Sequence, residues 1–184
     1  GSILSSEQPL AVFAGHVCSF VPFNSWACDH LEEAMFPVET WGRRTVLTAP
    51  MRPEGGGPAP TLVKILADQD GTELTFTPAM HAAATLQAGE TLEFQATGDL
   101  LVEANRPFYA VQALFGQEAL VSNAGDPAIG SGIPLGQWRS DYDFLVPDTY
   151  SSNYANVVAP RGSVLFLDGR TMLGWEDIEG TDFR

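Results

Sequence analysis

Two histidines and two cysteines stand in a mirrored arrangement, His16-x-Cys18 and Cys28-x-His30. On a strand, residues i and i+2 share a face, so each pair would offer an imidazole and a sulfur to the same side. Such a set of donors fits a tetrahedral zinc site. It also fits a disulfide between Cys18 and Cys28, 10 positions apart (28 − 18), with the histidines beside it. Two cysteines this close in a secreted chain usually pair. We expect the disulfide, with no metal and no cofactor. Closing so short a ring stabilises by roughly 2–3 kcal/mol.

Other chemistries find less support. Asp68-Gln69-Asp70-Gly71 has the residues of a calcium loop but not its further oxygen ligands or distal Glu; Asp and Gly are what a tight turn needs. No Gly-x-Ser-x-Gly elbow occurs, and nothing pairs His16, His30 or His81 with an activated Ser or Cys. Gly55-Gly56-Gly57 lacks the Lys and the helix of a phosphate loop. Glu32-Glu33 reads as a solvated pair; a glycosidase needs two carboxylates at a fixed separation in space.

The elements that must position these residues are strands. Short apolar or alternating runs occupy residues 10–14, 45–49, 62–66, 72–76, 91–94, 99–103, 108–115, 144–146, 155–159 and 164–167. Gly, Pro and Asp break them. Residues 68–71 read as a hairpin turn between the third and fourth runs. One helical turn is expected at residues 28–35, capped by Asp29. Residues 51–60, with three glycines and three prolines, read as an excursion between strands.

Self-similarity is the most informative feature. Pro9-Leu10-Ala11-Val12-Phe13 matches Pro107-Phe108-Tyr109-Ala110-Val111 at an offset of 98 (107 − 9). Pro37-Val38-Glu39-Thr40-Trp41 matches Pro134-Leu135-Gly136-Gln137-Trp138 at 97 (134 − 37), and Pro50 matches Pro147 at the same offset. Ile65-Leu66-Ala67 matches Val157-Val158-Ala159 at 92 (157 − 65), a shift that fits the missing excursion. We therefore expect an all-β fold of antiparallel strands: two tandem β-sandwich-like units related by an internal repeat. Residues 1–15 equal the end of a preceding repeat, 16–116 form the first unit, and 117–184 form the second, which lacks counterparts of residues 86–116. The first strand could pair into the last unit and complete it. Trp41 and Trp138, at equivalent positions, read as core plugs more than as sugar platforms.

Charge excludes some partners. The 184 residues carry 23 Asp+Glu against 9 Lys+Arg, and Lys64 is the single lysine. A net charge of −14 repels phosphate backbones and anionic membranes, and no apolar run reaches the ~18 residues of a spanning helix. No nucleic acid and no membrane insertion are expected.

Val12-Phe13-Ala14-Gly15-His16-Val17-Cys18, then Ala27-Cys28-Asp29-His30-Leu31 and Pro37-Val38-Glu39-Thr40-Trp41-Gly42, resemble the amino-terminal domain of the IgG Fc-binding protein family, which has many bacterial relatives. The likeness runs on through Gly125-Asp126-Pro127-Ala128, Leu167-Asp168-Gly169 and the stretches 142–147 and 153–160. It implies an extracellular or cell-surface, disulfide-bearing β domain tied to adhesion, mucus or immunoglobulin binding. It does not imply that this chain binds IgG, and it carries no catalytic residues. Gly125-Asp126-Pro127-Ala128 also resembles a self-cleaving Gly-Asp-Pro-His string with its histidine replaced, so a turn without cleavage is expected.

The resulting expectation is a non-catalytic binding or adhesion module for an extracellular protein or glycan. Its candidate ligand-binding residues are Asp29 and His30, beside the cysteine, and Asn153, Tyr154 and Asn156 in the second unit. The alternatives are a structural spacer in a larger surface protein and, behind it, a glycan-processing enzyme.

Overall fold

A computed structural model describes residues 1–52, 57–120, 125–146, 149 and 153–184. Residues 53–56 of the Gly/Pro excursion and the repeat-matching Pro147 lie outside these. The described strands are β1 (Phe13–Phe20), β2 (Cys28–Ala34), β3 (Gly42–Leu47), β4 (Thr61–Ala67), β5 (Thr72–Thr77), β6 (Ala84–Leu86), β7 (Thr91–Ala96), β8 (Leu100–Leu114), β9 (Ala128–Ser131), β10 (Phe166–Leu167) and β11 (Arg170–Thr171). All pairings are antiparallel, and the helices are single 3-10 turns. The fold is all-β, as expected.

β8 organises the molecule. Its first half, near Leu100–Ala104, is flanked by β3 and β5; its second half, Phe108–Leu114, by β4 and β9. β6 extends the first half through β5, and β7 extends the second through β4. Between the halves, Asn105 and Arg106 are exposed and Pro107 removes a ladder donor. The sheet therefore curls into a half-barrel over Leu47, Val63, Ile65, Leu74, Val102 and Phe108. Burying such side chains is worth roughly 1.5–3 kcal/mol each.

Three expectations change. Residues 28–35 are not a helical turn: Cys28–Ala34 is β2, alternating with Leu31 buried and His30 and Glu32 exposed. Pairing with β1 and a disulfide to it outweigh a possible cap. Residues 68–71 do not close a hairpin, because β4 and β5 pair with different halves of β8. The turn instead arches between the two sides of the curl, and the bend of β8 holds it: Asn105 donates to the Gly71 carbonyl and Arg106 to Gln69. The Asp70 carboxylate accepts the Ala88 N–H at 2.9 Å. Third, residues 144–146 and 155–159 form no strand. Among the described residues β1 pairs with β2.

Local structures recur at the sequence offsets. In the β1–β2 ladder Phe13, Ala14, Gly15 and His16 face Ala34, Glu33, Glu32 and Leu31. In the β8–β9 ladder Val111, Gln112, Ala113 and Leu114 face Ser131, Gly130, Ile129 and Ala128. Each residue of the first set sits 98 or 97 positions before its counterpart. The bond closing each ladder recurs too: Met35 N–H to Val12 and Gly132 N–H to Ala110, both at 2.8 Å. After each comes a 3-10 turn ended by a tryptophan whose indole N–H returns to a carbonyl five residues back, Trp41 to Phe36 at 3.0 Å and Trp138 to Ile133 at 3.2 Å. Equivalent residues also touch. Ser131 Oγ donates to the Ala34 carbonyl, and Gln137 Nε2 to the Thr40 carbonyl. The two segments thus run side by side in one direction.

Candidate binding ribbon

β1 and β2 form a two-stranded ribbon at the side of the curled sheet. Cys18 and Cys28 are joined in a disulfide with Cα atoms 5.0 Å apart. With the sulfurs bonded to each other, neither is a thiolate donor. Among the described residues, no three His, Cys, Asp or Glu side chains converge as a metal would require. His16 Nδ1 accepts the Cys18 N–H at 3.2 Å, and His30 lies 3.2 Å from Glu32, both exposed. Gly15 is needed where the strands cross: a Cβ there would fall onto the Leu31 carbonyl.

The ribbon tip docks on the segment following β8. Gly116 N–H donates to the Val21 carbonyl at 2.8 Å, and Trp26 N–H to Glu118 at 2.6 Å. Val21 and Leu31 pack with Ala113 and Phe115. Ala27 holds a positive φ of 98° at this corner, a conformation costly for any residue but glycine.

Phe20, Trp26, Cys28, Gln117, Gly125 and Asp126 line an open depression of about 360 Å³ beside the disulfide. Here Asp29 and Asp126 hydrogen-bond through their carboxyl groups. Partial burial, then the Asp29 charge, then that hydrogen bond raise the Asp126 pKa above its ordinary 3.8, because two adjacent carboxylates resist ionising together. Sequence reasoning missed Asp126 as a site residue. The signal was there: 126 − 29 is again 97.

The ribbon and its tip expose apolar side chains, one of which, Trp26, lines the depression. Val17 is 80% exposed, Phe23 91% and Trp26 69%. From Gln8 to Cys28 the chain has no Asp, Glu, Lys or Arg.

The remaining candidates lie elsewhere. Asn156 Nδ2 donates to Thr48 Oγ1 at 2.9 Å and to the Ala49 carbonyl at 3.2 Å, tying its segment to the end of β3. Tyr154 is exposed. The structure brings Asp29 together with Asp126, whereas Asn156 serves the fold.

The sequence profile of the family described as IgGFc binding protein matches residues 1–184, the whole chain. The chain belongs to the IgGFc binding protein family. It is a family of binding domains, not of enzymes. No curated protein and no solved structure matches the chain. Among the described residues, no helix is long and apolar enough to cross a membrane; for strands this carries no message.

Proposed function

We propose that this chain is an extracellular, non-catalytic module that binds a protein through the disulfide-tied ribbon. The observation carrying this reading is the exposure of Val17, Phe23 and Trp26 within residues 8–28, a stretch without Asp, Glu, Lys or Arg, with Trp26 lining the depression. Exposed apolar clusters of this kind mark interaction sites, and aromatic residues dominate the energetics of protein interfaces. Family membership supports a protein partner, with Asp29 and His30 on the polar rim. The disulfide supports an oxidising, extracellular setting.

The test is surface capture of candidate ligands, immunoglobulin Fc and secreted mucin glycoproteins among them, with and without their glycans. A ligand whose affinity falls at least about tenfold on Trp26→Ala, a usual hot-spot loss, supports the reading. Binding that survives both Trp26→Ala and Phe23→Ala places the interface elsewhere. Binding that vanishes with the glycan makes the ligand a sugar.

A structural spacer is the second reading. The recurring ladders and tryptophan corners favour it, since tandem units stacked through equivalent residues suit a rod-like array. High resistance to pulling in single-molecule force measurements, with no captured ligand, would favour the spacer.

A further inference from the structure

The depression beside the disulfide has a lining that selects its occupant. Phe20 and Trp26 line it from the ribbon, and Gln117 and Asp126 from the chain beyond β8. The carboxyl group of Asp126 hydrogen-bonds that of Asp29, whose Oδ1 accepts the His30 N–H at 2.6 Å. Glu118 stands at the same corner, held by the Trp26 N–H. No Lys or Arg lines the depression. Among the described residues the ion-pair contacts are His30–Glu32, Arg44–Glu103, Lys64–Glu93 and Arg161–Asp177. None of them brings a cation to Asp29, Asp126 or Glu118.

Two carboxylates within hydrogen-bond reach repel once both are ionised. A cation set against them removes that repulsion and gains charge-assisted contacts. Aromatic faces attract the same charge, and this chain uses that pairing elsewhere: Arg44 lies 5.5 Å from the Phe183 ring centroid and Arg184 4.9 Å from that of Trp175. Calcium is a poorer occupant, because it takes about 6–8 oxygen ligands and among the described residues no three His, Cys, Asp or Glu side chains converge. A guanidinium fits better than an ammonium: it is planar, stacks on aromatic rings and meets carboxylates with a fork of donors. The volume of about 360 Å³ stands at the low end of the roughly 300–1,000 Å³ of ligand pockets, a scale suited to one side chain.

We infer that the depression receives an arginine side chain of the protein bound by the ribbon, its guanidinium held between the Asp29–Asp126 carboxyl pair and the Trp26 ring. This occupancy rests on the reading of the ribbon as a protein-binding surface and deepens it, by giving the partner a basic anchor. The net charge of −14 draws a basic segment towards the chain, and complementary charge then fixes its register on the ribbon.

The test titrates an end-blocked Gly-Gly-Arg-Gly-Gly peptide into the isotope-labelled chain and follows it by nuclear magnetic resonance, with the citrulline and lysine peptides as controls. Trp26→Phe assigns the Trp26 indole resonance. The arginine peptide should shift that resonance and the Asp126 amide. Affinity should fall at least about tenfold for the neutral citrulline peptide and in Asp126→Asn, as the loss of a charged hydrogen bond implies, and the lysine peptide should bind more weakly than the arginine peptide. Asp126 is exposed, so Asp126→Asn keeps its circular dichroism spectrum. No shift at millimolar peptide, equal binding of the citrulline or lysine peptide, or undiminished binding by Asp126→Asn overturns the inference. The ribbon reading has a separate readout. Ligand capture that needs Trp26 and ignores Asp126→Asn overturns the arginine site alone, whereas capture indifferent to Trp26→Ala and Phe23→Ala overturns the ribbon reading and this inference with it.

Discussion

Trp41 and Trp138 head two corners built alike, and the chains leaving them fare differently. After Trp41, the strand β3 lies against β8 and buries Thr45, Val46 and Leu47. After Trp138, residues 139–146 stay in solvent. The corner is a local device: a proline, a 3-10 turn and an indole N–H returned to a nearby carbonyl. A strand is not local. It exists when a partner supplies the other half of its hydrogen bonds, and β8 supplies that half to residues 42–47. Similar residues thus give the same turn twice and the same strand once.

The sharpest way to break the comparison is to substitute equivalent positions. Leu47→Ala, in the core under the curled sheet, should cost about 2–5 kcal/mol in urea unfolding. Its counterpart Phe144→Ala should change stability by less than about 0.5 kcal/mol. Equal losses would mean that residues 139–146 are packed in solution.

The disulfide does not recur at the sequence offset, since Gly125 stands 97 positions after Cys28 (125 − 28). Replacing both Cys18 and Cys28 by Ser should remove roughly 2–3 kcal/mol, with amide exchange rising first in β1 and β2. The tryptophans come next. Trp41 stacks on Tyr109 at 5.3 Å, whereas Trp138 meets Phe183 edge-on at 5.5 Å. Each loses one indole hydrogen bond on mutation to Phe, worth about 1 kcal/mol. The larger thermal shift is expected for Trp41→Phe, whose stacking partner lies on β8.

The smallest effect concerns Asp29 and Asp126, equivalent residues that meet. A carboxyl group with a raised folded pKa contributes stability in full below its ordinary value. That contribution is lost as pH rises through the raised value. Asp126→Asn should therefore raise the melting temperature at pH 7 and leave it unchanged near pH 3. Asp126 is exposed, so water screens much of the repulsion and the gain is slight.

Much of this was legible beforehand. Disulfide, repeat and strand content rest on local spacing, and spacing is what a sequence displays. What failed was pairing. Asp68 to Gly71 has sound turn chemistry, but turn residues do not say whether the strands they join will meet. β8 read as two strands because Asn105, Arg106 and Pro107 interrupt it, and only the curled sheet makes them one. The helical reading of residues 28–35 followed Asp29 as a cap. The alternation of His30, Leu31 and Glu32 favoured a strand, and the partner that decides the matter is β1. Asp126 became a site residue only by meeting Asp29 across the two segments.

β8 also has a consequence for how the chain is made. A ribosome delivers residues in order, and β3, β4 and β5 emerge before the strand they pair with. Until residue 114 has left the tunnel, Leu47, Val63, Ile65 and Leu74 have no completed sheet to enter. A late keystone of this kind makes the nascent chain dependent on distant contacts, which form slowly and leave apolar strands open to wrong partners meanwhile. Stalling synthesis before and after residue 114 should therefore give chains that differ sharply in protease resistance.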